Sequence, residues 1–260
     1  FAAEHFQRGI LSKEDLDGIE LKWGDTEAFA ALTRKIAARE GIGNLLAEGT
    51  LRAALRIGKM KNREVLQYAI QSKGIGLGAH GVRSGRDYVT DIGYACSVQC
   101  GDHTSVTGLP FYGVNSEIWE IFNDSAVICN FNTFGLAKDF KFEFYNAVTG
   151  LSLNRKKWAI EGGLKTLQIQ RALLLLGGPD LTWNPKCDDD NPSRFYEPLP
   201  SGPYKGKTAK RARVRRNVRD YYKQAGWDKI GIPKSETLRE LGLGEVDNAL
   251  DKIRGRPERI

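Results

Sequence analysis

The sequence predicts a mainly α-helical protein. Two observations support this prediction: apolar residues recur at helical spacing along much of the 260-residue chain, and glycine or proline ends several of these segments. Hydrophobic residues make up 41% and aromatic residues 10% of the sequence, which suffices for a sizeable core and excludes a disordered chain.

The first seventy residues predict a helical hairpin. The first residues of the sequence have the pattern of the middle of a helix. Asp25 can cap a helix that a glycine pair ends, and Asn44 can cap a second helix that stops at Gly58. The apolar positions are Phe29, Leu32, Ile36 and Ala37 in the first of these helices and Leu45, Leu46, Leu51, Ala54 and Leu55 in the second.

Further helices are expected beyond a glycine-rich loop over residues 74–88, at which we place a domain boundary. The predicted domains are residues 1–73 and 74–260. Residues 179–206, rich in Pro, Asp and Gly, form an irregular arm. The later helical patterns cover residues 89–98, 116–122, 154–176 and 214–224, with a short helix opening at Pro233.

Composition excludes several classes of protein. The net charge is +7, no apolar run approaches the ~18 residues that a membrane span needs, and four cysteines are too few for a disulfide scaffold. The first residues lack the basic and apolar regions of a signal peptide, so we expect a cytoplasmic protein. The start within a helix and the single methionine predict a C-terminal piece or subunit of something larger.

Cysteine and histidine supply the first candidate sites. Cys96 and Cys100, followed by His103, could ligate zinc or iron, but two buried thiols packed in the core are the preferred interpretation because no second cysteine pair completes a site. On composition alone Cys129 is also expected in the core. His103 stands at the end of a helical segment, where an imidazole suits general acid–base catalysis, although a surface histidine would look the same. His80 has the same ambiguity.

Two other motifs have simpler interpretations. Residues 205–219 contain eight basic side chains, but no nucleic-acid reader motif accompanies them, so a solvated face or a docking site for an acidic protein is expected. Residues 74–78 (GIGLG) lack the spacing and the strand–helix context of a dinucleotide-binding loop.

The order of several segments resembles the tungsten-containing aldehyde ferredoxin oxidoreductases. Residues 6–49 are similar to the central helical region of that family, and residues 94–103 (YACSVQCGDH) resemble the stretch that ends in its active-site histidine. Residues 124–129 (DSAVIC) resemble its second pterin-binding motif, D-x-x-G-L-C, with valine in place of glycine. Residues 188–206 (DDDNPSRFYEPLPSGPYKG) fit its C-terminal part. The resemblance covers essentially the whole chain.

The resemblance implies a fold and a missing partner. Residues 1–73 would be the C-terminal part of helical domain 2, and residues 74–260 would be helical domain 3. The N-terminal half, which carries the β-rich domain that cradles the two pterins and three cluster cysteines, would come from the same or a separate chain.

The resemblance also implies roles for four residues. Cys129 would be the fourth thiolate of a [4Fe–4S] cluster. Asp124 would accept hydrogen bonds from pterin nitrogens, and Ile128 and Cys129 would offer backbone groups to the pterin. His103 would handle the proton at the substrate carbonyl.

The implied cofactors are a tungsten (or molybdenum) bis-pterin, the [4Fe–4S] cluster and Mg²⁺ bridging the pterins. The implied reaction oxidises a small aldehyde with water to a carboxylic acid, and the electrons leave through the cluster to ferredoxin or an electron-transfer subunit. The basic residues 205–219 could attract an acidic ferredoxin.

Three alternatives stay open. A tungsten reductase of the benzoyl-coenzyme A type shares this helical half, although His103 favours the aldehyde oxidase. A cofactor-free interaction subunit would need neither Cys129 nor His103. A nucleic-acid-binding module would depend on residues 205–219 alone.

Overall fold

The computed structural model describes residues 1–78, 93–102, 113–133, 135–137, 139–178 and 181–254, and this part of the chain is mainly helical, as the sequence predicts. A short antiparallel hairpin of β1 (Gln71–Ser72) and β2 (Ile75–Gly76) pairs Ser72 with Ile75. The α-helices are α1 (Ala2–Gln7), α2 (Thr26–Ala38), α3 (Ile42–Leu46), α4 (Thr50–Lys61), α5 (Gly93–Cys96), α6 (Val114–Ser125), α7 (Phe140–Thr149), α8 (Arg155–Trp158), α9 (Leu164–Leu176), α10 (Pro185–Asp188), α11 (Arg211–Gln224), α12 (Ser235–Glu240) and α13 (Gly244–Arg254).

Helices α1 to α4 build one core cluster from residues 3–69. Asp25 caps α2 as predicted, because its carboxylate accepts the backbone N–H of Ala28 at 3.0 Å. The prediction of a single helix between Asn44 and Gly58 is wrong. The chain turns at Gly49 between α3 and α4, and α4 continues through Gly58, whose missing Cβ would lie 3.0 Å from a backbone oxygen.

A second core cluster joins α5, α6, α9 and α11. Helices α8 and α9 run on through a π-helical turn, Ala159–Gly163, which confirms the helical stretch predicted over residues 154–176. A Cβ at Gly163 would meet the Ile118 side chain at 2.3 Å, so glycine lets this helix approach α6 closely. The Trp158 indole also donates to the Ile118 carbonyl at 3.0 Å.

Residues 181–206 of the arm contain only α10 and a short 3₁₀ turn, Ser193–Tyr196. The arm is held to the N-terminal helix, where Arg194 pairs with Glu4 at 2.5 Å. Helices α7 and α13 and the β hairpin were not predicted. The division of the chain after residue 73 stays a prediction.

No helix within the described residues combines the length and the apolar character that a membrane crossing requires.

Candidate functional site

Helix α6 carries Asp124 and leads directly into Ile128 and Cys129, three of the residues to which the resemblance assigns cofactor contacts. Its apolar side chains recur at helical spacing and are buried against α9 and α11. These buried apolar residues are Val114, Ile118, Ile121 and Phe122. The burial fixes α6 in the core and leaves the end of the helix, with Asp124, at the surface.

The helix ends in a Schellman motif. The Ile128 N–H donates to the Asn123 carbonyl at 2.8 Å, and the Val127 N–H donates to the Asp124 carbonyl at 3.3 Å. This ending requires a left-handed residue, and Val127 adopts it with φ of 58°. Position 127 is where the family motif has glycine. The backbone therefore takes a conformation that favours glycine although the side chain is valine.

The candidate cofactor residues Asp124, Ile128 and Cys129 all lie at the C-terminal end of α6, on either side of this turn. Asp124 and Cys129 are exposed and Ile128 is partly buried. The expectation from composition that Cys129 lies in the core is wrong, because the turn carries the chain out of α6 to the surface. The Ile128 N–H is used within the turn and is therefore not offered to a ligand.

The segment over residues 97–102 is docked on α6 at two points. The Glu117 carboxylate accepts the Ser97 hydroxyl and the Val98 N–H, both at 2.7 Å. At the C-terminal end of α6, the Gln99 side-chain amide donates to the Asp124 carboxylate at 2.5 Å. The chain that leads towards position 103 is therefore held against the same helix that carries Asp124.

The β hairpin supports this segment from its other side. A Cβ at Gly101 would lie 2.1 Å from the Ile75 carbonyl oxygen, so only glycine fits at this contact. Lys73 is buried and donates to the carbonyls of Tyr94 and Ala95 at 3.1 and 3.0 Å, which satisfies the end of α5.

Glu117 is an ionisable group inside the core cluster. Burial raises the pKa of its carboxyl group, although hydrogen bonds from Tyr221, Ser97 and Val98 act in the opposite direction. Sequence reasoning did not single out Glu117 or Gln99. Glu117 could have been identified from its position within the apolar face of α6. A carboxylate there predicts a buried hydrogen-bonding partner, since such a group is rarely buried alone.

The histidine and cysteine predictions divide into three groups. His103 and His80 lie outside the described residues. Cys96 and Cys100 are buried, as the preferred interpretation held, and burial raises the pKa of the Cys100 thiol. Cys129 has an exposed, free thiol.

The described residues can supply part of the ligand set of a metal cluster, but not all of it. Within the described ranges, no group of three or more His, Cys, Asp or Glu side chains is placed to hold a metal ion. The exposed thiol of Cys129, just beyond the end of α6, can supply a single ligand to a cluster whose other ligands come from elsewhere. The buried Cys96 and Cys100 are not available for that role.

One protein family and several known proteins are similar to this chain. A family model described as aldehyde ferredoxin oxidoreductase, domains 2 & 3, matches residues 1–243. A Pyrococcus furiosus protein named aliphatic sulfonate oxidoreductase, WOR-like subunit, is 54% identical over 257 residues, which cover 98% of this chain and 41% of that protein. The tungsten-containing aldehyde ferredoxin oxidoreductase of the same organism is 30% identical over 266 residues, which cover 94% of this chain and 41% of that protein.

A solved structure shows the same fold. It is the active site complex BamBC of benzoyl coenzyme A reductase in complex with 1,5-dienoyl-CoA, and it matches with a TM-score of 0.60 at 21% identity. The match covers 100% of this chain and 45% of that chain. The chain spans about two fifths of the length of the curated relatives it matches. It belongs to the aldehyde ferredoxin oxidoreductase family, in the region of domains 2 and 3.

Proposed function

We propose that this chain is the C-terminal part of a tungsten bis-pterin oxidoreductase, and that the end of α6 contacts one pterin and an iron–sulfur cluster. The observation that supports this proposal most strongly is the glycine-like conformation of Val127 between the exposed Asp124 and Cys129. In this proposal residues 1–73 and 74–260 belong to separate helical domains.

Each residue at the helix end has a defined task. The Cys129 thiolate supplies one ligand to a [4Fe–4S] cluster, and the other three thiolates come from the N-terminal portion. Asp124 accepts hydrogen bonds from the N–H groups of a pterin, and Gln99 holds its carboxylate in position. The Ile128 carbonyl is free of the helix-ending bonds and can accept from the same ring.

The proposed reaction is the oxidation of a small aldehyde. Aldehyde and water give a carboxylic acid, two protons and two electrons. When bound, the tungsten (or molybdenum) bis-pterin, together with Mg²⁺, would supply the two-electron redox chemistry. His103 would take up a proton beside the substrate carbonyl, and Cys129 would help to hold the cluster that would connect the site to ferredoxin or an electron-transfer subunit.

The basic segment can help to dock that acceptor. Lys210, Arg213 and Arg216 line one shallow depression on α11 and are well placed for an acidic protein. Arg215, which the sequence groups with them, lines a separate cavity on the same helix.

An aliphatic sulfonate is a second candidate substrate. The 54% identity to a protein named aliphatic sulfonate oxidoreductase, WOR-like subunit, supports this second candidate, whereas the relative named for aldehydes is 30% identical.

Metal analysis of the whole protein that contains this chain, purified without oxygen, tests the cofactor proposal. We expect about one tungsten and four irons per copy. Cys129→Ser should lower the iron content and alter the spectroscopic signature of the cluster, whereas Cys187→Ser, at the other exposed cysteine, should change neither. Absence of tungsten, molybdenum and iron from folded protein, or equal iron in both variants, would overturn the proposal.

Substrate assays with a viologen dye then separate the candidates. Reduction of the dye by a small aldehyde supports the aldehyde oxidase, and reduction by an alkanesulfonate supports the second candidate. Oxidation of reduced dye by benzoyl-CoA would instead indicate a reductase.

A further inference from the structure

We propose that a cavity against α11 binds a small organic anion with an apolar body. The cavity has a volume of about 530 Å³, within the ~300–1,000 Å³ typical of small-molecule sites. It lies between α11, residues 182–190, residues 229–232 and the end of α13. None of Asp124, Ile128 and Cys129 lines it.

One part of the wall is apolar. Trp183, Ile230 and Ile253 line the cavity together with the buried Ile232. Ile230 is 46% exposed, so an apolar ligand would remove a large aliphatic surface from water. This part of the cavity suits a hydrocarbon chain or ring.

The charged part of the wall has an excess of cations. Arg215, Arg219 and Lys229 line the cavity, and none of the three forms an ion pair with another described residue. The two carboxylates in the wall are already neutralised. Asp189 is held by Arg171 at 2.6 Å and by Lys73, and Asp190 is paired with Arg211. The unpaired charge is therefore positive, and it calls for an anionic group.

This cavity lies on a different face of α11 from the shallow depression lined by Lys210, Arg213 and Arg216. Arg215, Val218, Arg219 and Tyr222 are spaced i, i+3, i+4 and i+7 and share one face of the helix. Arg213 lies on the other side of α11, in the shallow depression described above. The basic segment thus presents two faces, and the cavity uses only one of them.

Calorimetric titration of the intact purified protein with octanoate tests the proposal, with octan-1-ol and octyltrimethylammonium as probes of equal chain length. We expect saturable binding of octanoate and at least tenfold weaker binding of the other two. Arg219→Gln should weaken octanoate binding at least about tenfold, because it removes a charge-assisted contact. Arg213→Gln, the same change on the other face of the helix, should alter the affinity less than about twofold.

Both arginines are exposed and have no ion-pair partner among the described residues, so both variants should fold, which circular dichroism would verify. Ile230→Ser, which shortens the apolar wall, should also weaken octanoate binding. No saturable binding, equal binding of octan-1-ol, or equal weakening by the two arginine variants would overturn the proposal. Binding is measured without turnover, so this result is independent of the tungsten content and of the proposed activity.

Discussion

Val127 combines a left-handed backbone with a β-branched side chain that is 92% exposed. Such a conformation costs roughly 1–2 kcal/mol for a residue with a Cβ, and the exposed side chain offers little packing to offset it. Val127→Gly should therefore raise the free energy of unfolding by about 0.5–1 kcal/mol, after the greater freedom of glycine in the unfolded chain is subtracted. Urea denaturation measures this difference.

The matched substitution lies in α7. Val148 is 71% exposed within that helix, and Val148→Gly should lower the free energy of unfolding by about 0.5 kcal/mol, because glycine is a poor helix former. Destabilisation by both substitutions would contradict the inferred strain at Val127.

Asp124 stands in the last turn of α6, where the helix dipole disfavours a negative charge. Asp124→Asn should thus leave stability unchanged or raise it by about 0.3–1 kcal/mol, since the amide oxygen can still accept from Gln99. The same change should lower the tungsten content if the carboxylate binds a pterin. Metal analysis beside urea denaturation separates the two effects.

Asp220→Asn is the control for that experiment. Asp220 is an exposed carboxylate near the end of α11 and is paired with Lys223. We expect normal tungsten content in this variant. A loss of tungsten in both variants, or in neither, would argue against a pterin contact at Asp124.

Residue-scale features were predictable where the signal is local. The cap of α2 by Asp25 follows from one side chain and its neighbours, and it is confirmed. Gly58 was misplaced as a helix end, because glycine is also selected where another segment approaches closely. The contact between Gln99 and Asp124 joins residues 25 positions apart, and no local sequence pattern predicts it.

At the scale of elements, Glu117 links α6 to the segment over residues 97–102. Its raised pKa means that the native state binds the proton more tightly than the unfolded chain does. This contribution to stability is complete below the ordinary pKa of glutamate, about 4.3, and is lost as the pH rises through the raised value. Glu117→Gln should remove this pH dependence while an amide oxygen still accepts from Ser97 and Val98.

Urea denaturation across pH 4 to 8 provides the measurement. The stability of Glu117→Gln relative to the natural chain should increase with pH above about 4.3 and then level off. Glu117→Ala, which removes the acceptors too, should be less stable than Glu117→Gln at every pH. Parallel pH profiles of the natural chain and Glu117→Gln would contradict the raised pKa of Glu117.

Periodicity explains which elements the sequence revealed. Helix α6 has a clear apolar face and was predicted within a few residues, whereas its Schellman end depends on Val127 and carries no glycine signal. Helix α7 was missed because Phe140, Phe142 and Phe144 alternate with polar residues, which is the period of a strand. The β hairpin is only two residues per strand, too short for any pattern.

At the scale of the whole molecule, a buried ionic cluster ties together distant parts of the chain. Asp189 accepts two hydrogen bonds from Arg171, at 3.0 and 2.6 Å, and its other charged neighbour is Lys73 at 3.4 Å. Arg171 also donates to the Gly231 carbonyl at 2.9 Å. The cluster thus joins the hairpin, α9, the arm and the loop before α12, a set of pairings that composition and periodicity do not encode.

Asp189→Asn should be strongly destabilising. The change leaves two buried cations without their countercharge, which costs about 3–5 kcal/mol for a broken buried pair. Asp190→Asn, at the neighbouring and more exposed carboxylate paired with Arg211, should cost about 1 kcal/mol or less. Urea denaturation at neutral pH compares them, and equal losses would contradict a special role of the buried cluster.

The decrease in the free energy of unfolding at low pH gives a second test of the cluster. Burial alone would raise the pKa of Asp189, but Arg171 and Lys73 outweigh it and hold the value below the ordinary range. The stability contributed by this carboxylate is therefore present above the ordinary aspartate pKa of about 3.9 and is lost as the pH falls through the lowered value. In Asp189→Asn this part of the acid-induced loss should disappear, so the two proteins should converge in stability at low pH. A constant difference down to the lowest pH would show that Asp189 acts through packing and not through its charge.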